Sequence, residues 1–393
     1  MRRIVFINRV YPPDTGATGY MLRGLAGGFR KAGWDVTIVT GGRQSTVETC
    51  PVSGVRVIRA AMPEGRSIMD ALRQLAALAR TARKQPQPDL LVTMTDPPML
   101  ALLGPWLYGR GARTLHWSQD VYPDLLPVLG MRVPRWLLKA AAALMSASLK
   151  RHDHVVAIGD CMGRKLLAKG VDENRLSVIR NWPAERMRRS EAAAGSGLTV
   201  LYAGNFGRGH DFRAVVGAAE KLRDRPDIRF VMAGEGAALE SVRQSAPANL
   251  QFMPRQDEPS FAALGENADL HLVTLKAEAA GLMVPSKMWA ALAAGRPILF
   301  LGPETSDVAA YVKRHGCGVV LPPDDGGGLA DALTGFADDP SSLAVLTADA
   351  AGHWTREKAL AEFVSLAGRI VAGAEVEADR HRADDDIADG AYV

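Results

Sequence analysis

Short β-branched and apolar runs alternate with helical stretches along nearly the whole chain, and that alternation limits the fold more than any other feature. Residues 3–8, 35–40, 55–60, 89–95, 113–117, 154–158 and 176–179 each have the length and side-chain types of a strand, with helical patterns at about 20–31 and 67–83 among them. Strands that are apolar on both faces must be covered on both faces, which calls for a parallel sheet with right-handed helical crossovers. The pattern lapses over 182–197, WPAERMRRSEAAAGSG, a charged, small-residue stretch suited to a linker. It resumes with LTVLYAGN at Leu198 and runs through IRFVMAGEG, NLQFM, ADLHLVTL, a helix over about 286–294, PILFLG and a helix over about 308–313. Two α/β domains of similar size are expected, residues 1–190 and 191–373, with a last helix at about 355–371. Two doubly wound domains facing each other leave a cleft, and ligands of such sheets bind beyond the carboxyl ends of the strands. The loops after Asn8, Thr95, Trp117, Asn205, Gly234 and Leu275 are the ones to inspect.

Charge is unevenly placed. The chain carries a formal +4, but its last twenty residues, 374–393, hold seven acids against two arginines, a composition that predicts a disordered acidic tail. Residues 132–189 hold thirteen Lys and Arg against five Asp and Glu. A basic body suits an anionic partner such as a nucleotide, a phosphate or a membrane surface, although a solvated surface accounts for it equally. No nucleic-acid-binding module accompanies the charge, so nucleic acid is not an expected partner. The 3 cysteines, Cys50, Cys161 and Cys317, are far apart with no metal spacing, which points to reduced thiols and a cytoplasmic protein. The opening MRRIVFINRVYPP reads as a first strand rather than a signal peptide, and no apolar run is long enough to span a bilayer.

Four segments carry candidate chemistry. The loop YPPDTGATG, residues 11–19, lacks the lysine of a phosphate-binding P-loop, and its glycines do not make GxGxxG. It is either a flexible loop that lets a substrate approach a helix start or an ordinary strand-to-helix turn. HWSQDVYPDLL follows a strand, so His116 and Asp120 lie near a carboxyl end. Asp120 could act on a substrate hydroxyl, whereas His116 is as well explained by core packing. YAGNFGRGHDF opens the second domain with Gly204, Gly207 and Gly209 around Arg208, a glycine loop with a fixed positive charge. In AGLMVPSKMWAALAAGRPILF, Pro285 suits the first turn of a helix, and Ser286 and Lys287 lie at its start, where the helix dipole disfavours a cation. An anion bound there would account for it.

At these residues the chain resembles the retaining GT-B glycosyltransferases of family 4, in the WbuB-like branch of bacterial surface-polysaccharide biosynthesis. The resemblance covers about residues 2–372. It rests on YPPDTGATG, WSQDVYPD, YAGNFGRG, AGEG at 233–236 and GLMVPSK…LAAGRP, the last being the most specific. It implies two facing Rossmann-like domains with parallel sheets and a central interdomain cleft, the first binding acceptor and the second donor. It implies transfer of a hexosyl or N-acetylhexosaminyl group from a nucleotide diphosphosugar, UDP-linked, to a hydroxyl of a lipid-linked or oligosaccharide acceptor, with retention. Asp120, Arg208 and Lys287 would be catalytic. Asn205, Gly207, Arg208, His210, Gly234, Arg255, Gly281, Leu282, Pro285, Ser286 and Lys287 would line the donor side, and Gly16, Thr18, Gly19 and His116 the acceptor side. Arg208 and Lys287 would neutralise the leaving diphosphate, with no metal or other cofactor, in keeping with the lack of a DxD motif in either domain.

The chain departs from the family pattern where many members carry two glutamates eight residues apart before the AxG turn. Leu282 and Ala290 stand there, and Glu278 is off register, which leaves the donor sugar and the ribose contacts open. Two other readings keep the same fold, a UDP-sugar 2-epimerase and a non-catalytic nucleotide-sugar binding protein. Residues 133–151, VPRWLLKAAAALMSASLKR, form a basic helix with apolar Trp136, Leu137, Leu144 and Leu149. It either lies peripherally on the cytoplasmic face of the inner membrane or packs in the first domain with its basic face solvated.

Overall fold

The computed structural model describes residues 1–14, 16–51, 53–65, 67–183, 197–346 and 354–373. The first domain is built on an eight-stranded sheet. Its strands are β1 (Arg3–Ile7), β2 (Asp35–Gly42), β3 (Thr46–Thr49), β4 (Arg56–Ala61), β5 (Leu90–Thr93), β6 (Arg113–Ser118), β7 (His154–Ala157) and β8 (Leu176–Val178). They lie in the order β3-β4-β2-β1-β5-β6-β7-β8, parallel throughout except for the antiparallel pairing of β3 with β4. The second domain has six parallel strands: β9 (Leu198–Ala203), β10 (Ile228–Ala233), β11 (Leu250–Met253), β12 (Leu270–Thr274), β13 (Ile298–Leu301) and β14 (Gly318–Leu321), in the order β11-β10-β9-β12-β13-β14. Both sheets are Rossmann-like, and in each the direction of strand addition reverses once, between β1 and β5 and between β9 and β12. Such reversal points open a crevice at the carboxyl edge of a sheet.

Strands that read as apolar runs in the sequence are buried on both faces. Every residue of β5, β7, β12 and β13 is buried. The edge strand β3 had no such signature, because all four residues of TVET are exposed and only pairing with β4 makes it a strand. Helix Ile68–Arg83 starts where the sequence places it, with Ser67 and Asp70 forming a reciprocal capping box.

The C-terminal helix Arg356–Ala372 corrects the expected domain division. It was grouped with the second domain by its position in the chain, yet Ala359, Phe363, Leu366, Ala367 and Ile370 are buried in the core of the first. Phe363 meets Trp117 edge-on at 5.0 Å between ring centroids, and Trp117 stacks on Trp182 at 5.9 Å. The Trp354 indole, just before this helix, donates to the carbonyls of Arg180 and Asn181 at 3.3 and 3.0 Å. The chain therefore crosses between domains twice. The expected linker over 184–196 and the acidic tail over 374–393 lie outside the described residues.

A second tie between the domains is polar. Asp307 opens helix Asp307–His315 in the second domain, and its carboxylate accepts the backbone N–H of Asp160 at 2.5 Å and of Cys161 at 3.2 Å, together with the Cys161 thiol. Those amides begin helix Asp160–Ala168 of the first domain, so one domain caps a helix of the other. Gly159 leaves the space, since a Cβ there would lie 2.2 Å from an Asp307 oxygen. Asp307→Ala should cost about 1–2 kcal/mol of stability in urea denaturation through loss of this cap. A loss indistinguishable from zero would show that the contact is incidental.

Candidate active site

The second-domain half of the cleft is built from the carboxyl ends of β9, β10 and β12. Gly204 and Gly234 follow β9 and β10 with φ of 134° and 141°, and a Cβ on Gly234 would fall 1.9 Å from the Gly204 carbonyl oxygen. Only glycine lets these two turns approach so closely. The same bare backbone at Gly204 makes room for the stem of Lys287, whose Cε would sit 3.1 Å from a Cβ there.

Lys287 is the first residue of helix Lys287–Ala293 and is half-buried. Its ammonium lies 3.1 Å from His210 Nε2 and 4.9 Å from the centroid of the Tyr202 ring. His210 Nδ1 lies 2.6 Å from the Thr274 carbonyl oxygen. A carbonyl can only accept, so Nδ1 carries the hydrogen and Nε2 presents its lone pair to the ammonium. Burial, reinforced by the Lys287 charge, holds His210 down to about 3, so the ring is neutral around pH 7. Burial likewise brings Lys287 down to about 7. No carboxylate pairs with Lys287 among the described residues. The site is thus a partly desolvated ammonium, oriented by a neutral imidazole and lacking a counter-ion.

The other sequence-predicted donor residues are spread along the same edge. Asn205 is exposed, and its carbonyl accepts the Tyr202 hydroxyl at 2.7 Å. Gly207 stands between it and His210, with space for a Cβ limited by the Asn205 amide at 3.2 Å. Arg208 is exposed and reaches across the cleft, where it donates to the Leu129 carbonyl at 3.2 Å. Arg255 is ion-paired with Glu235 at 2.7 Å, near the turn after β10. Gly281 and Leu282 belong to the domain seam: the Leu282 carbonyl accepts the Val121 N–H at 2.8 Å, and a Cβ on Gly281 would meet the Cys161 carbonyl. Pro285 is buried, Ser286 makes no side-chain cap bond, and Glu278 is exposed in the single turn Ala277–Ala279.

In the first domain, Asp120 follows β6 and pairs through its backbone with Met283 of the second domain. It lines a narrow pocket with Thr95, Met99, His116, Ser118 and Tyr122. Burial pushes its carboxyl up to about 7, and the charge of Asp96 adds to the rise. His116 is a strand-interior residue, buried with Nδ1 3.2 Å from the Thr93 hydroxyl and its ring 5.6 Å from that of His152, and burial holds it down to about 3. It lines the pocket from the strand side. The described residues of the loop, 11–14 and 16–19, are held by specific contacts. Asn8 donates to the Val10 carbonyl at 2.7 Å and to the Thr18 hydroxyl at 3.3 Å. Gly16 precedes helix Ala17–Lys31, and Gly19 packs on the Val10 backbone. Arg59 of β4 anchors the loop by donating to the Pro12 carbonyl at 2.7 Å and to Asp14 at 3.2 Å. Among the described residues no three His, Cys, Asp or Glu side chains converge to hold a metal ion, and no helix is long and apolar enough to cross a membrane.

Sequence reading missed Arg9 and Asp96, joined at 2.7 Å beside Asp120, and Tyr202 and Thr274, which complete the Lys287 site. The only signal for them was position, immediately within or after strands whose carboxyl ends form the cleft.

Comparison with known proteins matches both halves of the chain. Residues 16–182 match the family described as Glycosyl transferase 4-like domain, and residues 197–339 match Glycosyl transferases group 1. WbjE of Pseudomonas aeruginosa, named as a glycosyltransferase, is 26% identical over 87% of this chain and 92% of its own length. WcaI of Escherichia coli (strain K12), named as a colanic acid biosynthesis glycosyl transferase, is 28% identical over 64% of this chain and 66% of its own length. Among solved structures, sucrose-phosphate synthase from Thermosynechococcus elongatus superposes with a TM-score of 0.74 at 16% identity, covering 95% of this chain and 100% of that one. The Anabaena protein HepE, solved with UDP and glucose, gives 0.69 at 12% identity, covering 94% and 100%. At these identities the structures establish the shared fold.

The Lys287 environment has a measurable consequence. In the unfolded chain this lysine keeps its proton up to its ordinary 10.5, whereas in the folded protein it loses it near 7. Between those values the unfolded state binds more protons, so this group makes stability rise with pH. Wild-type protein should gain stability relative to Lys287→Met between about pH 7 and pH 9, as read by urea midpoints. Parallel pH dependence in the two proteins would contradict the buried ammonium.

Proposed function

Because the chain belongs to the glycosyltransferases of the GT-B fold and is related to those of polysaccharide biosynthesis, we propose that it moves a sugar from a UDP-sugar to an acceptor hydroxyl with retention of configuration. The observation that carries this reading is the unpaired, His210-oriented ammonium of Lys287 at the point where the second sheet reverses. A diphosphate in the crevice over Gly204 and Gly234 would meet glycine backbone and an ammonium that pairs with no anion among the described residues. As the bond between the anomeric carbon and the phosphate oxygen breaks, negative charge grows on the diphosphate. Lys287, already desolvated, stabilises that charge more than it stabilises the intact donor. Neutral His210 holds the lysine in place without competing for the anion. Arg208 joins the same task once it leaves the Leu129 carbonyl. HepE, of the same fold, was solved with UDP and glucose, which supports a uridine nucleotide.

Across the cleft, Asp120 stands on the acceptor side as an orienting group, while the departing phosphate oxygen takes the single proton of the acceptor hydroxyl from the same face as that oxygen bonds to the anomeric carbon. No metal or cofactor enters this scheme. The two other readings are separated by outcome: an epimerase needs acid and base groups around the donor sugar, and a binding protein would show no turnover. The WbuB-like branch, a lipid-linked acceptor and a place on the cytoplasmic face of the inner membrane fit helix Arg135–Leu149. Residues 131–151 contain five Lys and Arg and no acid. Trp136 is 72% exposed, Leu144 56% and the neighbouring Trp106 60%, with Arg151 over the Trp106 ring at 4.5 Å. Domain roles follow as residues up to 183 for the acceptor and 197–346 for the donor.

A thermal-shift screen of nucleotide sugars, followed by turnover assays on the ligands that stabilise the protein, tests the proposal. UDP-sugars should stabilise it, and Lys287→Ala should lower turnover about 100-fold or more with the fold intact. Arg208→Ala should lower it less, since that side chain also has a partner in the first domain. Wild-type turnover in Lys287→Ala would remove the assignment.

A further inference from the structure

A file of polar side chains climbs one face of the first sheet toward the cleft. β5 and β6 are paired with Thr93 opposite His116, and Nδ1 of His116 lies 3.2 Å from the Thr93 hydroxyl. Side chains two residues apart on a strand share a face, so Thr95 and Ser118 continue the file toward the carboxyl edge, and Asp120 ends it. Thr95, His116, Ser118 and Asp120 all line the narrow pocket of the first domain. Leu100, Met145 and Leu149 close it with apolar surface, from the single turn Leu100–Leu103 and helix Arg135–Leu149. The Ala101 carbonyl in that wall is already engaged, by the Ser148 hydroxyl at 2.9 Å and by His152 Nε2 at 3.0 Å.

The polar side of the pocket is not satisfied in the same way. Thr95 is 5% exposed, and its hydroxyl has no hydrogen-bond partner among the described residues. His116 is equally buried, with Nδ1 engaged by Thr93 and Nε2 as its remaining polar atom. Asp120 makes its contacts through its backbone, with Ser118 and Met283. Buried polar groups left unbonded are costly, and native interiors give them a partner. The pocket leaves about 10 Å³ for the centre of a water-sized group, which is room for one oxygen and not for a phosphate or a carboxylate. Met99, the one non-glycine residue with a positive φ among the described residues, at 71°, lines the same pocket, and backbone strain of this kind gathers at ligand sites. We propose that this pocket binds a single hydroxyl-type oxygen, water or an alcohol hydroxyl, through Thr95, His116 and the carboxyl of Asp120. Such an oxygen both donates and accepts, so it suits either tautomer of the His116 ring. Held there, it ties the Asp120 carboxyl to the interior of β5 and β6, which makes Thr95 and His116 positioning residues for that carboxyl.

The site goes beyond the transferase reading. Its test needs neither donor nor turnover, so its failure leaves that reading standing. Protein labelled with carbon-13 in the histidine rings is observed by NMR for magnetisation transfer from water to the His116 ring protons, which are assigned by their loss in His116→Gln. Wild-type protein should show the transfer. Thr95→Ser should keep it, because the hydroxyl is kept, and Thr95→Val, of the same shape without the hydroxyl, should lose it. Urea denaturation adds an independent sign. Valine in place of a hydroxyl bonded to a bound oxygen lowers the midpoint, whereas valine in place of an orphaned hydroxyl raises it. Glycerol then separates the two sources. Transfer from its carbon-bound protons to the His116 ring assigns an alcohol hydroxyl, of the kind an acceptor would supply, and transfer from water alone assigns a resident water; both support the site. No transfer in wild type, equal transfer in Thr95→Val, or a raised urea midpoint in that variant overturns the proposal. If Thr95→Val does not fold, the wild-type transfer decides: its presence supports the site, and its absence overturns it.

Discussion

An ammonium held where burial works against its charge is the interaction on which the rest of this structure depends. Lys287 has given up part of its water without gaining a carboxylate among the described residues, and its ammonium meets a neutral imidazole and the Tyr202 ring. Desolvation of that kind is costly to a protein unless an anion arrives to repay it. The surrounding features fit the proposed anion. Two glycine turns press their backbones together to open the crevice, Thr274 locks the His210 tautomer, and the sheet reverses direction at this point.

The first domain presents the complementary chemistry. Among the described residues the second offers a cation with no paired anion, and the first offers a carboxyl, Asp120, with no paired cation. Asp120 also lies on the domain seam, bridged through its backbone to Met283, so its position relative to the second domain is governed by packing at that seam. The seam is held by the Asp307 cap on helix Asp160–Ala168, by the Val121–Leu282 bond and by the return of helix Arg356–Ala372 to the first domain. Together these contacts fix the arrangement of the domains.

Much of the fold was legible in the sequence because doubly buried strands are written as apolar runs. β5, β7, β12 and β13 are such runs, and each forms where expected. β3 was not legible, since an exposed edge strand has no pattern of its own. The home of helix Arg356–Ala372 was not legible either. Its apolar stripe says that it is buried and does not say against which sheet. In the site, Lys287 was visible as a cation at a helix start, a local conflict that asks for an anion. His210, in contrast, takes its tautomer and its neighbour from Thr274 and Lys287, which are distant in sequence, and Asp96 is paired with Arg9, 87 positions away. Single-residue signals survive in a sequence, whereas pairings across it do not. Arg208 shows the converse. Its glycine-rich setting is plain in the sequence, yet its side chain in this arrangement of the domains lies on the Leu129 carbonyl.

The central claim is that Lys287 awaits a diphosphate in a partly neutral state. Isothermal titration calorimetry of UDP binding, in buffers of different ionisation enthalpy at about pH 8, measures the protons exchanged. Wild-type protein should take up nearly one proton on binding, because the anion restores the ammonium, and Lys287→Met should take up none. Binding of UDP by wild-type protein with no proton uptake would contradict the account.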